Sequence, residues 1–259
     1  LLIYFRPNQC FYDTDDADYL RYSPETIWFF MKRSRKILVG SRELQTNLSK
    51  RYPNVFLVTC PIPNLEIFKR KKNKILTVGW IGDFTKGHKK SLMEIFFPAL
   101  KALPFTIKLV MLGVTRKEEH SFILDYFTGY ENIILEVPES VNWMDEHGLQ
   151  QLISDFDVGI ATLQNDEFNR SKSAFKLKQY LNNGVPVLST DLPENNYFVE
   201  SGVNGFLCNT PDEFRTKLIE INLMNDEEYN RLSKNARECF TKFDVRNYCA
   251  ELIRHFEES

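Results

Sequence analysis

Asp157-Val-Gly-Ile-Ala-Thr-Leu163, Asp166-Glu-Phe-Asn-Arg-Ser-Lys-Ser-Ala-Phe-Lys-Leu-Lys-Gln-Tyr-Leu-Asn-Asn-Gly184 and Val185-Pro-Val-Leu-Ser189 are the stretch that decides the fold. The first segment is short, apolar and β-leaning, as a buried parallel strand is. Within the last, Pro186-Val-Leu-Ser189 reads as the next such strand, and Gly184 ends the helix predicted between them. That helix begins against the usual rule. Free N–H groups and the macrodipole favour Asp or Glu in a first turn, yet this one carries Arg170, Lys172 and then Lys176. A bound anion shared by the N–H groups and the basic side chains explains the pattern. A solvated basic face is the alternative. Lys172, Lys176, Gln179 and Asn183 fall on one polar stripe, opposite an apolar stripe of Ala174, Leu177 and Leu181.

Outward from there, 259 residues suffice for one large domain or two smaller ones. A hydrophobic content of 43% with 26% charged residues is that of a globular protein, and a net charge of −2 argues against a dedicated nucleic-acid binder. The five cysteines, Cys10, Cys60, Cys208, Cys239 and Cys249, include no C-x-x-C pair, which excludes the common zinc patterns and suggests buried thiols in a reducing compartment. No apolar run reaches the roughly 18 to 20 residues of a membrane span. The chain opens without methionine in a strand-like Leu1-Leu-Ile-Tyr-Phe5, so a missing N-terminus is expected.

Strands are expected at residues 1–5, 36–40 and 55–58, with helices over 23–35 and 41–52 between them; Ser41 caps the second helix. Residues 61–74, rich in Pro and Lys, read as an exposed linker. A complete α/β unit follows. Its strands are expected at 75–82, 106–113, 132–135, 157–163, 186–189 and 205–208, and three helices close the chain after residue 211.

Gly82-Asp-Phe-Thr-Lys-Gly-His-Lys-Lys-Ser91 is a second glycine-bearing turn into a basic helix start. It approaches the phosphate-binding P-loop, but His88 stands where that motif needs lysine. A P-loop-like NTPase using Lys89 and Ser91 is therefore the weaker reading. Both basic turns fall at C-terminal ends of strands, where open parallel sheets bind ligands. Two such turns on one crevice suit a diphosphate.

Asp157-Val-Gly-Ile-Ala-Thr-Leu163, Phe168-Asn-Arg-Ser-Lys-Ser173, Lys176, Gln179-Tyr-Leu181, Gly184-Val-Pro-Val187 and Gly202-Val-Asn-Gly-Phe-Leu207 together resemble the donor-binding domain of retaining glycosyltransferases of family 4. The resemblance implies an α/β fold of GT-B type. Residues 71–259 would form a complete Rossmann-like nucleotide-sugar domain, and residues 1–70 a partial Rossmann-like acceptor-side domain and linker. It further implies a metal-independent hexosyltransferase-like enzyme with no cofactor beyond its nucleoside diphosphate sugar. The acceptor would be a glycan or a lipid-linked hydroxyl, in glycan or cell-surface polysaccharide synthesis, at a cytoplasmic site or the inner face of the membrane. Residue by residue, Lys86 matches the lysine that grips the diphosphate, while Trp80 stands where an arginine usually helps it. Of two glutamates eight apart in the family, the second corresponds to Gln179, facing the ribose, and the first to Ser171, a departure that Asp166 or Glu167 could offset. The implied catalytic set is Lys86, Arg170, Ser171 and Lys172; Gly82, Asp83, Lys86, Arg170, Ser173, Lys176 and Gln179 would bind the donor, with no metal ligand. A non-catalytic nucleotide-sugar-binding module remains the alternative, favoured by Ser171.

Asp13, Asp15 and Asp16 could form a metal-binding D-x-D, but the resemblance sets them on the other domain, away from the donor phosphates, in a turn or structural role. Trp143 is either core or near the base pocket. Residues 23–35 place Ile27, Trp28, Phe29, Phe30 and Met31 ahead of Lys32, Arg33 and Arg35, which suits either a packed helix with a basic end or peripheral docking on a membrane.

Overall fold

The computed structural model describes residues 9–69, 71–101 and 103–258; the strand expected at residues 1–5 lies outside them. Two parallel sheets organise the chain. The smaller has the order β1-β2-β3, from Phe11–Thr14, Lys36–Val39 and Val55–Leu57, joined by α1 (Pro24–Arg33) and α2 (Arg42–Ser49). Ser41 caps α2 as expected, its Oγ accepting from the Leu44 N–H at 3.2 Å. Ile27 and Met31 of α1 are buried, and Trp28 packs against Tyr19 and Tyr52, so this helix belongs to the lobe's own core.

The larger sheet holds β4 (Leu76–Ile81), β5 (Ile107–Leu112), β6 (Ile133–Glu136), β7 (Val158–Ala161), β8 (Val187–Ser189) and β9 (Gly205–Leu207). Their order is β6-β5-β4-β7-β8-β9. Strand order reverses between β4 and β7, and the crevice that this reversal opens beyond their C-terminal ends is where doubly wound sheets bind ligands. The helices between strands are α3 (beginning as Lys86–Ser91), α4 (Lys117–Tyr126), α5 (Glu146–Ser154), α6 (Glu167–Arg170), α7 (Phe175–Asn182) and α8 (Pro193–Phe198). The last three are α9 (Pro211–Leu223), α10 (Asp226–Glu238) and α11 (Val245–Glu257). Helix α3 runs from Lys86–Ser91 through a π-helical turn at Leu92–Phe96 into Phe97–Leu100. Pro98 lacks the N–H that would bond one turn back, which gives the disturbed ladder its cause.

Each face of the larger sheet has its core. Trp80, Phe84, Phe96 and Phe97 fill one, and Ile81, Phe156, Leu177 and Tyr180 the other. A three-stranded sheet buries little alone. Here the core of Ile37, Val39, Leu44 and Leu48 also receives Phe168 from the larger lobe. Helix α11 crosses back as well, stacking Phe256 on Phe11 at 4.5 Å and placing the His255 carbonyl 2.6 Å from Lys36 Nζ. Among the described residues, no helix is long and apolar enough to cross a membrane.

Two expectations need correction. The Lys-rich segment before β4 is exposed at Lys71, Asn73 and Lys74 but docked at two other lysines: Lys69 is buried and pairs with the fully buried Asp157 at 3.1 Å, and Lys72 Nζ caps the carbonyls ending α9. Asp157 in turn accepts from the N–H groups of Asn73 and Thr77, which ties this segment to the sheet. Moreover, the single helix expected after Leu163 is two. Asp166 caps α6, Arg170 ends it, and α7 starts five residues later at Phe175. Arg170 therefore stands where a helix dipole favours a cation, and only Lys176 lies in a first turn.

Candidate functional site

The break between α6 and α7 shapes the site. Ala174, at φ +55°, takes a left-handed turn that redirects the chain and starts α7 toward the crevice. The N–H groups of Phe175, Lys176 and Leu177 open that helix and have no partner within it. They border a cleft of about 630 Å³ whose walls include Gly82, His88, Lys172, Lys176 and Gln179. Gly82 has φ +144°, and a Cβ there would lie 2.9 Å from Lys176 Nζ. Glycine thus lets the turn close over the ammonium. Beneath it, Lys176 Nζ stands 4.5 Å from the centre of the Trp80 ring. Burial, then the charge of Lys172, pushes the Lys176 ammonium down to about 7. The Trp80 indole N–H is buried and has no acceptor among the described residues.

His88 Nδ1 is 2.7 Å from the Asp83 carbonyl, which only accepts, so Nδ1 carries the proton and Nε2 is left as an acceptor. Burial, then Lys176, drives His88 down to about 3, which keeps it neutral. At the other end, Gly113 (φ +104°) has no room for a side chain: a Cβ would lie 2.2 Å from the Gly82 carbonyl and 2.8 Å from the indole of Trp143. Trp143, 45% exposed, overhangs this end of the cleft. Such a site combines cations, free N–H groups, a neutral acceptor and a flat aromatic wall. It can hold a diphosphate with a planar group on one side.

Of the residues singled out in the sequence, Gly82, Asp83, Lys172, Ser173, Lys176 and Gln179 line the cleft. Lys86, Arg170 and Ser171 do not. Lys86 is exposed in the first turn of α3. Arg170 pairs with Glu43 at 3.3 Å. Ser171 is fully buried; its Oγ donates to the Glu167 carbonyl and its own carbonyl accepts from Ser41 Oγ at 2.6 Å. Asp166 is occupied in capping Asn169. The P-loop reading fails on position: Ser91 is buried, donating to the His88 and Thr162 carbonyls, and Lys89 Nζ lies 3.4 Å over the Phe122 ring.

Asp15 and Asp16, expected to lie away from this site, come instead from the smaller lobe to line the same cleft. Asp16 pairs with Lys172 at 3.1 Å. Gly40, at the end of β2, was the available signal: a Cβ there would lie 3.0 Å from the Ser173 side chain, so the glycine permits close approach of the lobes. Lys178, fully buried on α7, donates to Thr59 Oγ1 and the Cys60 carbonyl at 2.7 and 3.1 Å. Glu194, 2% exposed, receives both the backbone N–H and the guanidinium of Arg42. These two residues lock the lobes together.

The fold is of GT-B type, two parallel-sheet lobes meeting over a crevice. Residues 72–223 match the family described as Glycosyl transferases group 1, and the chain belongs to that family. It is 24% identical over 196 residues to the GDP-Man:Man(3)GlcNAc(2)-PP-Dol alpha-1,2-mannosyltransferase of Dictyostelium discoideum, an alignment covering 72% of this chain and 37% of that relative. The chain thus spans well under half the length of the curated relative it matches. Among solved structures it is similar to the sucrose-phosphate synthase of Thermosynechococcus elongatus, with TM-score 0.75, 12% identity, and coverage of 96% of this chain and 67% of that one. It is also similar to Anabaena HepE in complex with UDP-glucose (TM-score 0.70, 17% identity, 96% and 72% covered). S. aureus TarM, solved with UDP, gives TM-score 0.74 at 14% identity, covering 95% of this chain and 50% of that one.

Proposed function

We propose that this chain transfers a sugar from a nucleoside diphosphate sugar to an acceptor hydroxyl, with retention of anomeric configuration, as a family 4 enzyme. The observation that carries the reading is the convergence of Lys172, Lys176, the opening N–H groups of α7 and the Gly82 turn on one cleft. Breaking the glycosidic bond leaves charge on the diphosphate, and fixed donors that meet this charge lower the barrier without reorganising. The departing phosphate then accepts the proton of the incoming hydroxyl. In this reading Lys172 and Lys176 supply the charge that a metal would otherwise supply, and Arg170 acts through the loop it anchors to Glu43. Gln179 would face the ribose and Trp143 the base.

The relative's name pairs GDP-Man with a PP-Dol-linked glycan, and HepE and TarM were solved with UDP or a UDP-sugar. These support a nucleotide-sugar donor and a glycan or lipid-linked acceptor. One observation favours a binding module without turnover: the buried Ser171 brings no side chain to the cleft. Transfer assayed on the full chain with GDP-mannose and UDP-glucose separates the two readings.

UDP or GDP is expected to bind in calorimetry equally well with and without a chelator. Binding abolished by the chelator would sink the metal-free site. Gly82→Ala should weaken nucleotide-sugar binding by about 1 to 2 kcal/mol, because the strained turn shifts and displaces Lys176. Gly87→Ala is the control, since a Cβ there meets nothing nearer than Arg21 at 3.9 Å. Equal effects of the two substitutions would show that the Gly82 turn does not hold the ligand.

A further inference from the structure

We infer that Asp16, carried by the smaller lobe, reads the hydroxyl groups of the transferred sugar, an inference that rests on the donor-site reading above. The cleft has two chemically different walls. One offers Lys176 and the free N–H groups of α7, which suit a diphosphate. The other brings Asp15 and Asp16 across from the opposite lobe. A diphosphate is repelled by carboxylates, whereas a neutral polyol is attracted, since a carboxylate accepts from two hydroxyls at once.

The lining carboxylates are not equivalent. Asp83 Oδ1 faces Arg116 at 3.4 Å. Asp15 turns onto the main chain at Gly40, where an added Cβ would lie 2.2 Å from its Oδ1, and bonds the Cys60 thiol. Asp16 instead accepts from Lys172 Nζ at both oxygens, at 3.1 and 3.4 Å. Lys172 belongs to the loop that leads into α7, so Asp16 stands beside a cation that, in the donor-site reading, meets the diphosphate. The register of that pair is fixed by its surroundings. Ser41 Oγ holds the Ser171 carbonyl at 2.6 Å, and Glu43 holds Arg170 at 3.3 Å. Closure of the two lobes therefore presents an anion and a cation together, the combination that accepts from one hydroxyl and donates to its neighbour. The smaller lobe thereby acquires a part in choosing the sugar, while the larger lobe holds the nucleotide.

The hydroxyls could belong to the donor sugar or to an acceptor glycan, and calorimetry without acceptor separates them. UDP, GDP, UDP-glucose and GDP-mannose are titrated into the wild-type chain, Asp16→Asn and Asp16→Ala. For the nucleotide sugar that binds, Asp16→Ala is expected to raise Kd by about 10- to 100-fold, and Asp16→Asn by less, because the amide keeps one acceptor. The Kd of the matching diphosphate should stay within about threefold or fall, as Lys172 loses a competing partner. Equal losses for diphosphate and nucleotide sugar would mean that Asp16 only holds the lobes together, and would overturn the inference. Unchanged binding of both would assign the wall to the acceptor or to nothing, and would overturn it too. Failure of the wild-type chain to bind UDP or GDP would instead remove the donor-site reading itself, and this inference with it.

Discussion

Lys176→Ala should weaken binding of a nucleoside diphosphate by about 1.5 to 3 kcal/mol, the range for a hydrogen bond to a charged group. The ammonium lies against Gly82 and over the Trp80 ring, and among the described residues no carboxylate is paired with it. Burial and Lys172 hold it down to about 7. A bound diphosphate favours the charged form and raises that value, so binding above about pH 7 takes up a proton. The affinity of the wild-type chain for UDP-glucose or GDP-mannose should therefore fall as pH rises through about 7, and the Lys176→Ala profile should be flat there. A nucleotide sugar is the right probe, because its diphosphate does not itself titrate near neutrality. Folding stability gives the converse sign. A lysine with a depressed folded value binds fewer protons when folded, so its presence costs stability below about pH 7 and the cost fades as pH rises toward the unfolded value. Lys176→Met should therefore be as stable as wild type or more so at acidic pH. A marked loss of stability in Lys176→Met, or a pH profile of binding unchanged by Lys176→Ala, would show that the residue is structural.

Arg42→Ala should lower the free energy of unfolding by about 3 kcal/mol, since it strips a buried carboxylate of its cation. Glu194 is 2% exposed and accepts from Arg42 at 2.7 Å through the guanidinium and 2.9 Å through the backbone N–H. The guanidinium also lies 3.2 Å over the Tyr197 ring, packing that alanine does not replace. Burial raises the Glu194 carboxyl, and Arg42 pulls against that rise. A carboxyl whose folded value is raised binds more protons in the folded state, so stability falls as pH rises from the unfolded value through the folded one. Loss of Arg42 widens this window upward. The deficit of Arg42→Ala should consequently be larger at about pH 7.5 than at about pH 5.5, measured by urea unfolding of both proteins. An identical deficit at both would mean that packing on Tyr197, and not the buried carboxylate, accounts for the loss. Because Arg42 follows Ser41, which holds the Ser171 carbonyl, the variant should also loosen the loop carrying Lys172.

The parallel sheet and its crevice were legible in the chain because their signals are local. Val158–Ala161 and Val187–Ser189 are buried throughout and mostly apolar, Gly184 ends the helix between them with φ +65°, and Gly82 marks the turn after Leu76–Ile81. A buried strand and a glycine with positive φ impose their residue types within a few positions. Lys176 and Gln179 were readable for the same reason, since one helix carries both. The resemblance extended that reading to GT-B architecture. What only the tertiary structure decided is where the remaining charges point. Arg170 and Lys172, two residues apart, separate toward Glu43 and Asp16, because Ala174 breaks the helix there and the smaller lobe approaches at Gly40. Lys69 pairs with Asp157, 88 positions along the chain, and Asp16 with Lys172, 156 positions along. Partners so far apart leave no local pattern. Whether a lysine is a solvated face, a structural pin or a ligand group depends on the surface folded against it, and that surface exists only once both lobes have closed.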